Sequence, residues 1–371
     1  MEGQGVLPSQ WIADAASRGI IEAADALAPG QIQPNSLDLR LDRVAYRVQC
    51  SYLPGPEGMA RKLDRFKWYE VPLEPSGTML ERNQIYLFPL QERLDLPAHI
   101  AARANPKSTT GRLDVFSRLV TEHGTAFDEV PAGYRGPLYL EVVPRSFAIR
   151  VRRGDCLAQI RFQIGDPRLG DAETAALLDR QPIVLDDRAR PLGSRHLRIH
   201  HGIFLSVRMQ GRRGEVMGYR SRKNTLPLDI RARRADTCHY WETIQFREHE
   251  AVILEPDEFY IFSSSELIRL PPEICAEMIP YDAGSGELRT HYAGFFDSGF
   301  GYAADLEPAA SAAAVVLEIR NRDVPFLLEA HQPLFRLLLL RNTEAPALLY
   351  GEEAASHYQG QRLRLSKQFG S

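Results

Sequence analysis

The chain has 371 residues, of which 44% are hydrophobic and 25% charged, and its formal net charge is −3 at pH 7. This length allows two domains of ordinary size, while the small net charge provides no general attraction to nucleic acid or to an anionic membrane. No apolar run reaches the roughly 18 residues of a membrane span, and residues 1–26 lack the pattern of a signal peptide. We therefore expect a cytoplasmic protein without nucleic-acid or membrane partners.

Taken in chain order, the predicted elements are those of a mainly β protein with a few short helices. Residues 9–28 repeat apolar side chains at helical spacing, with Ser9 as the candidate N-cap and Pro29-Gly30 as the stop signal. Short runs of branched and aromatic residues, separated by Pro, Gly and Asp, then predict strands at 84–90, 138–143, 147–151 and 156–163. This pattern is typical of a β sandwich or barrel. A second short helix is predicted at 172–179.

An internal repeat indicates that the same domain occurs twice. Residues 80–88 resemble residues 254–262 at an offset of 174 (254 − 80), and the likeness continues downstream. Residues 138–141 resemble 315–318 at an offset of 177 (315 − 138), and residues 37–40 resemble 228–231. We predict an N-terminal domain at 1–170 and a C-terminal domain at 201–371. The charged and proline-rich stretch 166–191 places a linker region between them, at 171–200.

The four cysteines do not suggest a disulfide framework or a zinc site. None of them forms a C-x-x-C pair or lies near a candidate histidine partner. We expect buried, reduced thiols, at Cys50, Cys156, Cys238 and Cys275.

Five motifs together resemble the dCTP deaminase and dUTPase superfamily. Residues 106–113 are similar to its phosphate-side motif, and residues 33–41 to its early strand motif. Residues 293–300 resemble its deoxyribose-binding hairpin, and residues 315–321 the strand that carries the deaminase's catalytic glutamate. Residues 350–351 and 357–362 look like the tail that closes over the triphosphate. The resemblance implies two tandem dUTPase-like jelly-roll or β-barrel domains and the hydrolytic deamination of dCTP to dUTP and ammonia.

The expected chemistry is metal-free. Zinc deaminases use a histidine or cysteine cluster with an H-x-E glutamate, and the sequence contains neither. A carboxylate must then take a proton from water and deliver protons to the ring and to the leaving amine. The resemblance assigns this role to the glutamate of the Leu-Glu strand, for which both Glu141 and Glu318 are candidates.

The two domains have lost complementary parts of the family's site. The phosphate-side motif keeps Ser108, Thr109 and Arg112 only in the N-terminal domain, because the C-terminal domain has Asp282, Ala283 and Gly286 there. The hairpin aspartate, Asp297, has Pro131 as its N-terminal counterpart. Because the family builds its site between subunits, we predict one composite site per pair of domains. The predicted catalytic residues are Glu318, Ser108 and Arg112, with Glu141 as the second glutamate candidate.

The resemblance also implies roles for the other site residues. Ser108 and the carbonyl of Ala293 would hold the attacking water, and Arg112 would orient the glutamate. Asp297 would accept a hydrogen bond from the 3′-hydroxyl, and Phe296 would exclude a 2′-hydroxyl. The triphosphate, with Mg²⁺ on its oxygens, would contact the tail, in which Lys367 is a further candidate, and the phosphate-side motif. The residues predicted to contact it are Lys107, Thr109, Tyr350, His357, Gln361 and Arg362.

Several alternatives stay open at this point. The same scaffold serves dUTP pyrophosphatases and bifunctional enzymes that convert dCTP to dUMP, and a non-catalytic nucleotide-binding protein is a third possibility. The resemblance implies a homo-oligomer of unspecified size and dTTP as a feedback inhibitor, beside dCTP and dUTP as ligands. Basic clusters at 212–213, 220–223 and 231–234 are interpreted as solvated surface.

Overall fold

The computed structural model describes residues 3–247, 251–280, 289–290, 294–351 and 360–369, and the mainly β fold predicted from the sequence is confirmed. The first copy of the repeated domain contains helices α1 (Ser9–Ser17), α2 (Met59–Phe66) and α3 (Ser108–Gly111). Its strands are β1 (Gly5–Val6), β2 (Ile21–Ala23), β3 (Leu37–Arg40), β4 (Val44–Val48), β5 (Lys67–Pro72), β6 (Thr78–Leu80), β7 (Tyr86–Asp95), β8 (Ile100–Pro106), β9 (Val115–Thr121), β10 (Glu129–Val130), β11 (Arg135–Pro144), β12 (Ile149–Val151) and β13 (Cys156–Ile164).

The second copy runs from α4 to the C-terminal tail. Its helices are α4 (Asp171–Arg180), α5 (Thr237–Tyr240) and α6 (Pro308–Ser311). Its strands are β14 (Val184–Leu185), β15 (Ile203–Ser206), β16 (Val216–Ser221), β17 (Leu228–Asp229), β18 (Trp241–Gln245), β19 (Val252–Leu254), β20 (Phe259–Ile268), β21 (Ile274–Pro280), β22 (Arg289–Thr290), β23 (Phe295–Phe296), β24 (Ala313–Arg320), β25 (Phe326–Leu328) and β26 (Pro333–Arg341).

Each copy is built on two antiparallel sheets that enclose a core. In the first copy the order β1-β13-β8-β10, with β3 beside β13, faces the order β5-β4-β7-β11-β9. In the second copy β15-β26-β21-β23 faces β18-β16-β20-β24-β22. Apolar side chains of both sheets meet between them, as Phe88 and Phe162 do in the first copy and Phe262 and Phe335 in the second. This arrangement is that of a β sandwich.

Strand register supports the duplication. Phe88 pairs with Leu140 in the first copy, and Phe262 pairs with Leu317 in the second, at offsets of 174 and 177. The upstream match of 37–40 with 228–231 is wrong. Leu37 pairs with Ile160 of β13, and Ile203 of β15 holds the same register on β26, so β15 is the counterpart of β3. The similarity of four residues was misleading, because the position of a strand in a sheet is determined by its pairing with the neighbouring strand rather than by a short sequence match.

Two further sequence predictions need comment. The first helix ends at Ser17 rather than at residue 28, because Gly19 adopts a positive φ of 72° and Ile21 joins the sheet beside Leu94. Pro8, not Ser9, is its N-cap residue. The predicted linker segment contains α4 and β14, and Val184 pairs with Ile268 as Ile21 pairs with Leu94. We therefore describe this segment with the second copy.

The copies differ most in one connection. Between β4 and β5, the first copy folds α2 back over its own sheet, where Met59 packs beside Val120. The corresponding connection of the second copy, residues 222–240, crosses to the first copy, where β17 pairs in parallel with β12. Arg152 fixes this strand with two bonds to Asp229, at 2.7 and 2.8 Å. The crossing brings a basic loop of the second copy to the first.

The cysteines are free thiols, but their predicted burial is only partly correct. Cys50 and Cys238 are exposed, Cys156 is half-buried and Cys275 is buried. Burial raises the pKa of Cys156 and of Cys275 to about 12, so both stay protonated at neutral pH. In the described part of the chain, no helix is long and apolar enough to cross a membrane.

Candidate active site

A cavity of about 230 Å³ lies between the two copies and brings together most of the predicted site residues. The first copy contributes the phosphate-side motif, and the second contributes the hairpin and the tail. The predicted residues among its walls are Lys107, Ser108, Thr109, Arg112, Phe296, Asp297, Tyr350 and Gln361, and other walls include Gln33, Asp38, Gln159, Phe300 and Lys367.

The phosphate-side motif forms a single helical turn, α3, directly after β8. Lys107 keeps an extended backbone, and its carbonyl accepts hydrogen bonds from the backbone N–H groups of Thr110 and Gly111 at 2.8 and 2.9 Å. Arg112 closes the turn with a bond to the Ser108 carbonyl at 3.1 Å. The turn therefore presents consecutive hydroxyl and basic side chains to one cavity.

Glu318 reaches this turn from the second copy. Side chains alternate along β24, so Leu317 and Ile319 fill the second core while Val316 packs into the core centred on the first copy. Glu318 shares the face of Val316 and is only 2% exposed. A Cβ atom added to Gly111 would lie 2.6 Å from Glu318 Oε1. The carboxylate therefore occupies the space that glycine leaves beside Arg112, within one chain.

Glu141, the equivalent residue of the first copy, has different surroundings. Its carboxylate forms an ion pair with Arg118 at 2.6 Å, and Arg118 also donates to Ser51 Oγ at 2.6 Å. The Arg118 guanidinium stacks on Phe127, 3.5 Å from the ring centre. Neither glutamate is among the described walls of the cavity, but Glu318 contacts Gly111, in the turn that also contains the wall residues Ser108 and Arg112, whereas Glu141 does not. The connection that contains α2 covers this face of β11, whereas the first copy covers the same face of β24.

Asp297 is held by a residue that the sequence analysis did not identify. Arg161, on β13 of the first copy, bonds to Asp297 Oδ1 at 2.9 Å and to the Ala276 carbonyl at 3.1 Å. Burial raises the pKa of Asp297 even though the Arg161 charge opposes this shift. Arg161 is a single charged residue within the apolar run of β13, and this isolated charge was the signal available in the sequence.

The tail of the second copy lies against the phosphate-side motif. Arg112 donates to Gln361 Oε1 and to the Arg364 carbonyl, both at 3.0 Å. Ser366 Oγ donates to the Thr109 carbonyl at 2.9 Å. These bonds make the tail part of the cavity wall, so the cavity needs both copies.

Lys107 forms a buried ion pair with Asp38 of the early strand motif. Burial alone would lower the pKa of Lys107, but the neighbouring Asp38 carboxylate outweighs burial and raises it. The ammonium group therefore stays charged at the cavity wall, as a phosphate ligand requires.

The remaining predicted residues are Arg362, Ala293 and His357. Arg362 is exposed and is not one of its described walls, and burial together with the charge of Arg208 lowers the Arg362 pKa. The contact of Arg362 with the triphosphate stays a prediction. Ala293 and His357 lie outside the described residues, as do Asp282, Ala283 and Gly286. Among described residues, no three His, Cys, Asp or Glu side chains form a cluster suited to a metal ion.

Comparison with known proteins gives consistent similarities. The family models for the N-terminal and C-terminal domains of 2′-deoxycytidine 5′-triphosphate deaminase match residues 3–166 and 170–369. The crystal structure of a 2′-deoxycytidine 5′-triphosphate deaminase from Agrobacterium tumefaciens is similar, with a TM-score of 0.84 and 41% identity over 91% of this chain and 99% of that chain.

Curated relatives match over shorter stretches. A dUMP-forming dCTP deaminase from a Nocardioides species is 32% identical over 123 residues, which cover 32% of this chain and 59% of that protein. A dCTP deaminase from Ignicoccus hospitalis is 24% identical over 125 residues, 33% of this chain and 64% of that protein. The chain thus spans less than two thirds of the length of these two relatives.

Proposed function

Because the chain belongs to the 2′-deoxycytidine 5′-triphosphate deaminase family, we propose that it converts dCTP and water to dUTP and ammonia, with Glu318 as the proton shuttle. One observation carries the proposal: the Glu318 carboxylate of the second copy packs against Gly111, in the turn that runs from Ser108 to Arg112 of the first copy. A buried carboxylate packed against a turn that contains a hydroxyl and a guanidinium side chain fits the activation of water for addition to a polarised ring carbon.

One carboxylate, that of Glu318, can transfer all the protons that the reaction requires. Glu318 takes a proton from the water as its oxygen bonds to C4, and it passes a proton to N3. The C4 hydroxyl of the tetrahedral intermediate then gives its proton to Glu318, which passes it to the amine; the C4–N bond breaks, ammonia leaves, and the C4 carbonyl forms. Ser108 would hold the water, together with the carbonyl of Ala293. Arg112, fixed by Gln361 at 3.0 Å, would keep the carboxylate oriented.

The second copy would recognise the sugar. Asp297 would accept a hydrogen bond from the 3′-hydroxyl, and its carboxylate is already held by Arg161 at 2.9 Å. Phe296 packs edge-on against Phe300, with ring centres 5.1 Å apart, and this packing leaves an apolar wall for the 2′ position. A hydroxyl there would lose its hydration without gaining a partner, so the site would favour a deoxyribose.

The triphosphate would contact Lys107, Thr109, Tyr350 and Gln361, with His357 as a further ligand. Mg²⁺ on the phosphate oxygens is compatible with the residues present, since the carboxylate of Asp38 lines the cavity and its Oδ1 has no hydrogen-bond partner in the described part of the chain. Bound there, Mg²⁺ would neutralise charge on the triphosphate. We propose no zinc.

A product assay tests the proposal. The full chain is incubated with dCTP, and dUTP, dUMP, ammonia and pyrophosphate are measured separately. Equal amounts of dUTP and ammonia are expected. Binding of dCTP without ammonia release would instead indicate a non-catalytic nucleotide-binding protein.

A second candidate function is the bifunctional reaction from dCTP to dUMP. It is favoured by relatives from Nocardioides and Methanosphaerula palustris, which are dUMP-forming dCTP deaminases. Pyrophosphate released in step with ammonia would identify it, and hydrolysis of dUTP alone would indicate a dUTP pyrophosphatase. Inhibition by dTTP and assembly into a homo-oligomer stay proposals, which a dTTP titration and sedimentation analysis would test.

A substitution of Gly111 tests the position of Glu318 by steric conflict, without changing any charge. The Cβ-free backbone of Gly111 accommodates Glu318, and a methyl group 2.6 Å from Oε1 must push the carboxylate away. We expect Gly111→Ala to lower kcat for dCTP about 100-fold, the effect of a displacement near 1 Å. The melting temperature should change far less than the rate. The control is Gly170→Ala, whose added Cβ meets nothing closer than 3.7 Å. Equal activity of the two variants would contradict the placement of Glu318.

A further inference from the structure

A second cavity, of about 320 Å³, adjoins the candidate active site. The two cavities share Asp38, Lys107, Thr109 and Lys367 as walls. The second cavity therefore borders the phosphate-side motif, whose Thr110 and Leu113 are also among its walls, and continues from the place proposed for the triphosphate.

Positive charge predominates in this cavity. Four basic side chains line it, Lys107, Lys367, Arg231 and Arg233, against the two carboxylates of Asp38 and Asp155. Lys107 is ion-paired with Asp38, and Arg231 with Asp155 at 2.6 Å. Two more cations than carboxylates remain by this count (4 − 2), so the cavity is suited to an anion.

The basic loop is held in place before any ligand binds. Arg231 is anchored to the first copy through Asp155 and also donates to the Arg153 carbonyl at 3.2 Å. Ala235 donates to the Gln368 carbonyl at 2.8 Å, and Gln368 Nε2 donates to the Ile230 carbonyl at 2.6 Å. Loop 230–235 and tail 366–369 are thus joined on both sides of Arg233. A loop whose backbone is already fixed loses little conformational entropy when an anion binds.

Burial lowers the pKa of Lys367, and the charges of Lys107 and Arg233 lower it further. Several positive groups therefore converge on one space. A bound anion would relieve their repulsion and stabilise the charged lysine.

We propose that this cavity binds the terminal phosphates of the substrate's triphosphate, with Arg233 and Lys367 as direct ligands. This inference rests on the proposed function, because it extends the same substrate beyond Lys107 and Thr109. The shared walls favour one continuous triphosphate over a separate phosphate molecule. Arg231, Arg233 and Arg234 are all exposed, which agrees with the interpretation of 231–234 as solvated surface, and Arg231 and Arg233 also line the rim of this cavity.

Kinetics of the full chain test the proposal. Arg233→Gln and Lys367→Met should each raise KM for dCTP by about 10-fold, the effect of one lost charge-assisted contact, with kcat within about threefold. Their affinity for dCMP, which has no terminal phosphates, should not change. The matched control is Arg234→Gln, since Arg234 is exposed and lines neither cavity. Lys367→Arg should recover most of the loss.

A binding measurement separates this inference from the proposed function. Inorganic tripolyphosphate, titrated calorimetrically, should bind the wild-type chain, compete with dCTP and bind both variants about 10-fold more weakly. If the wild-type chain deaminates dCTP and both variants keep the wild-type KM and the wild-type affinity for tripolyphosphate, the inference about this cavity is wrong while the proposed function stands. Tripolyphosphate that binds without displacing dCTP would also overturn it. Tripolyphosphate binding that depends on Arg233, in a chain that never deaminates dCTP, would support the anion site while refuting the proposed function.

Discussion

Glu318→Gln is expected to lower kcat for dCTP deamination about 1,000-fold, whereas Glu141→Gln keeps activity within about threefold of wild type. Glutamine fills the same space but cannot exchange protons, and a positioned acid–base group contributes roughly 10²- to 10⁴-fold. Glu318 is buried at Gly111 beside the cavity, while Glu141 is occupied by Arg118 at 2.6 Å. Steady-state release of ammonia gives the two rates, and a melting curve for each variant controls for folding.

The pair of variants also decides which copy provides the reacting carboxylate. A dead Glu141→Gln enzyme beside an active Glu318→Gln enzyme would place the chemistry in the first copy. If both variants lose activity while their melting temperatures hold, the site cannot be the single composite proposed here. Binding of dCTP to Glu318→Gln should remain close to wild type, because the nucleotide contacts proposed for Lys107, Asp297 and Gln361 do not involve this carboxylate.

The duplication and a composite site between the two copies could be predicted because both depend on short sequence motifs. An offset of 174 aligns the strands β7 and β20, and Pro131 in one copy against Asp297 in the other indicates which hairpin keeps a carboxylate. Strand register supports the same alignment: Val130 pairs with Ala102, and Phe296 pairs with Ala276. Because each copy has lost a different motif of the site, the sequence indicates which copy provides each part of the cavity.

The features that the sequence analysis missed or predicted wrongly depend on contacts between residues that are far apart in the chain. Residues 228–231 resemble β3 in letters, but β17 pairs in parallel with β12 of the other copy, and no local pattern predicts that crossing. The same holds for Arg161 and Asp297, which meet across 136 residues.

A buried ion pair between the copies was also missed by the sequence analysis. Arg320, two residues after Glu318, forms a buried ion pair with Asp114, two residues after Arg112. Ser146 Oγ donates to Asp114 Oδ2 at 2.6 Å, and Arg320 Nη1 donates to the Asp257 carbonyl at 2.7 Å. The pair thus joins the Glu318 strand to the turn that carries Arg112. Its side chains are 9% and 0% exposed, so neither charge can be compensated by water.

Asp114→Ala is therefore expected to lower the free energy of unfolding by about 3–5 kcal/mol, the cost of leaving one buried charge without its partner. Urea unfolding followed by circular dichroism measures the change. The matched control is Asp95→Ala, which removes the partner of Arg135 from a pair whose side chains are 77% and 52% exposed. That loss should stay below about 1 kcal/mol, because water and salt screen an exposed pair.

The double variant Asp114→Leu/Arg320→Met separates charge from packing. If the cost of Asp114→Ala arises from an unpaired guanidinium, removing both charges should restore much of the stability. Activity should nevertheless stay reduced, because the pair also fixes the distance between the Glu318 strand and the Arg112 turn. Recovery of stability and rate together would show that Asp114 and Arg320 only hold the copies together. Recovery of stability alone would show that they also position the reacting carboxylate.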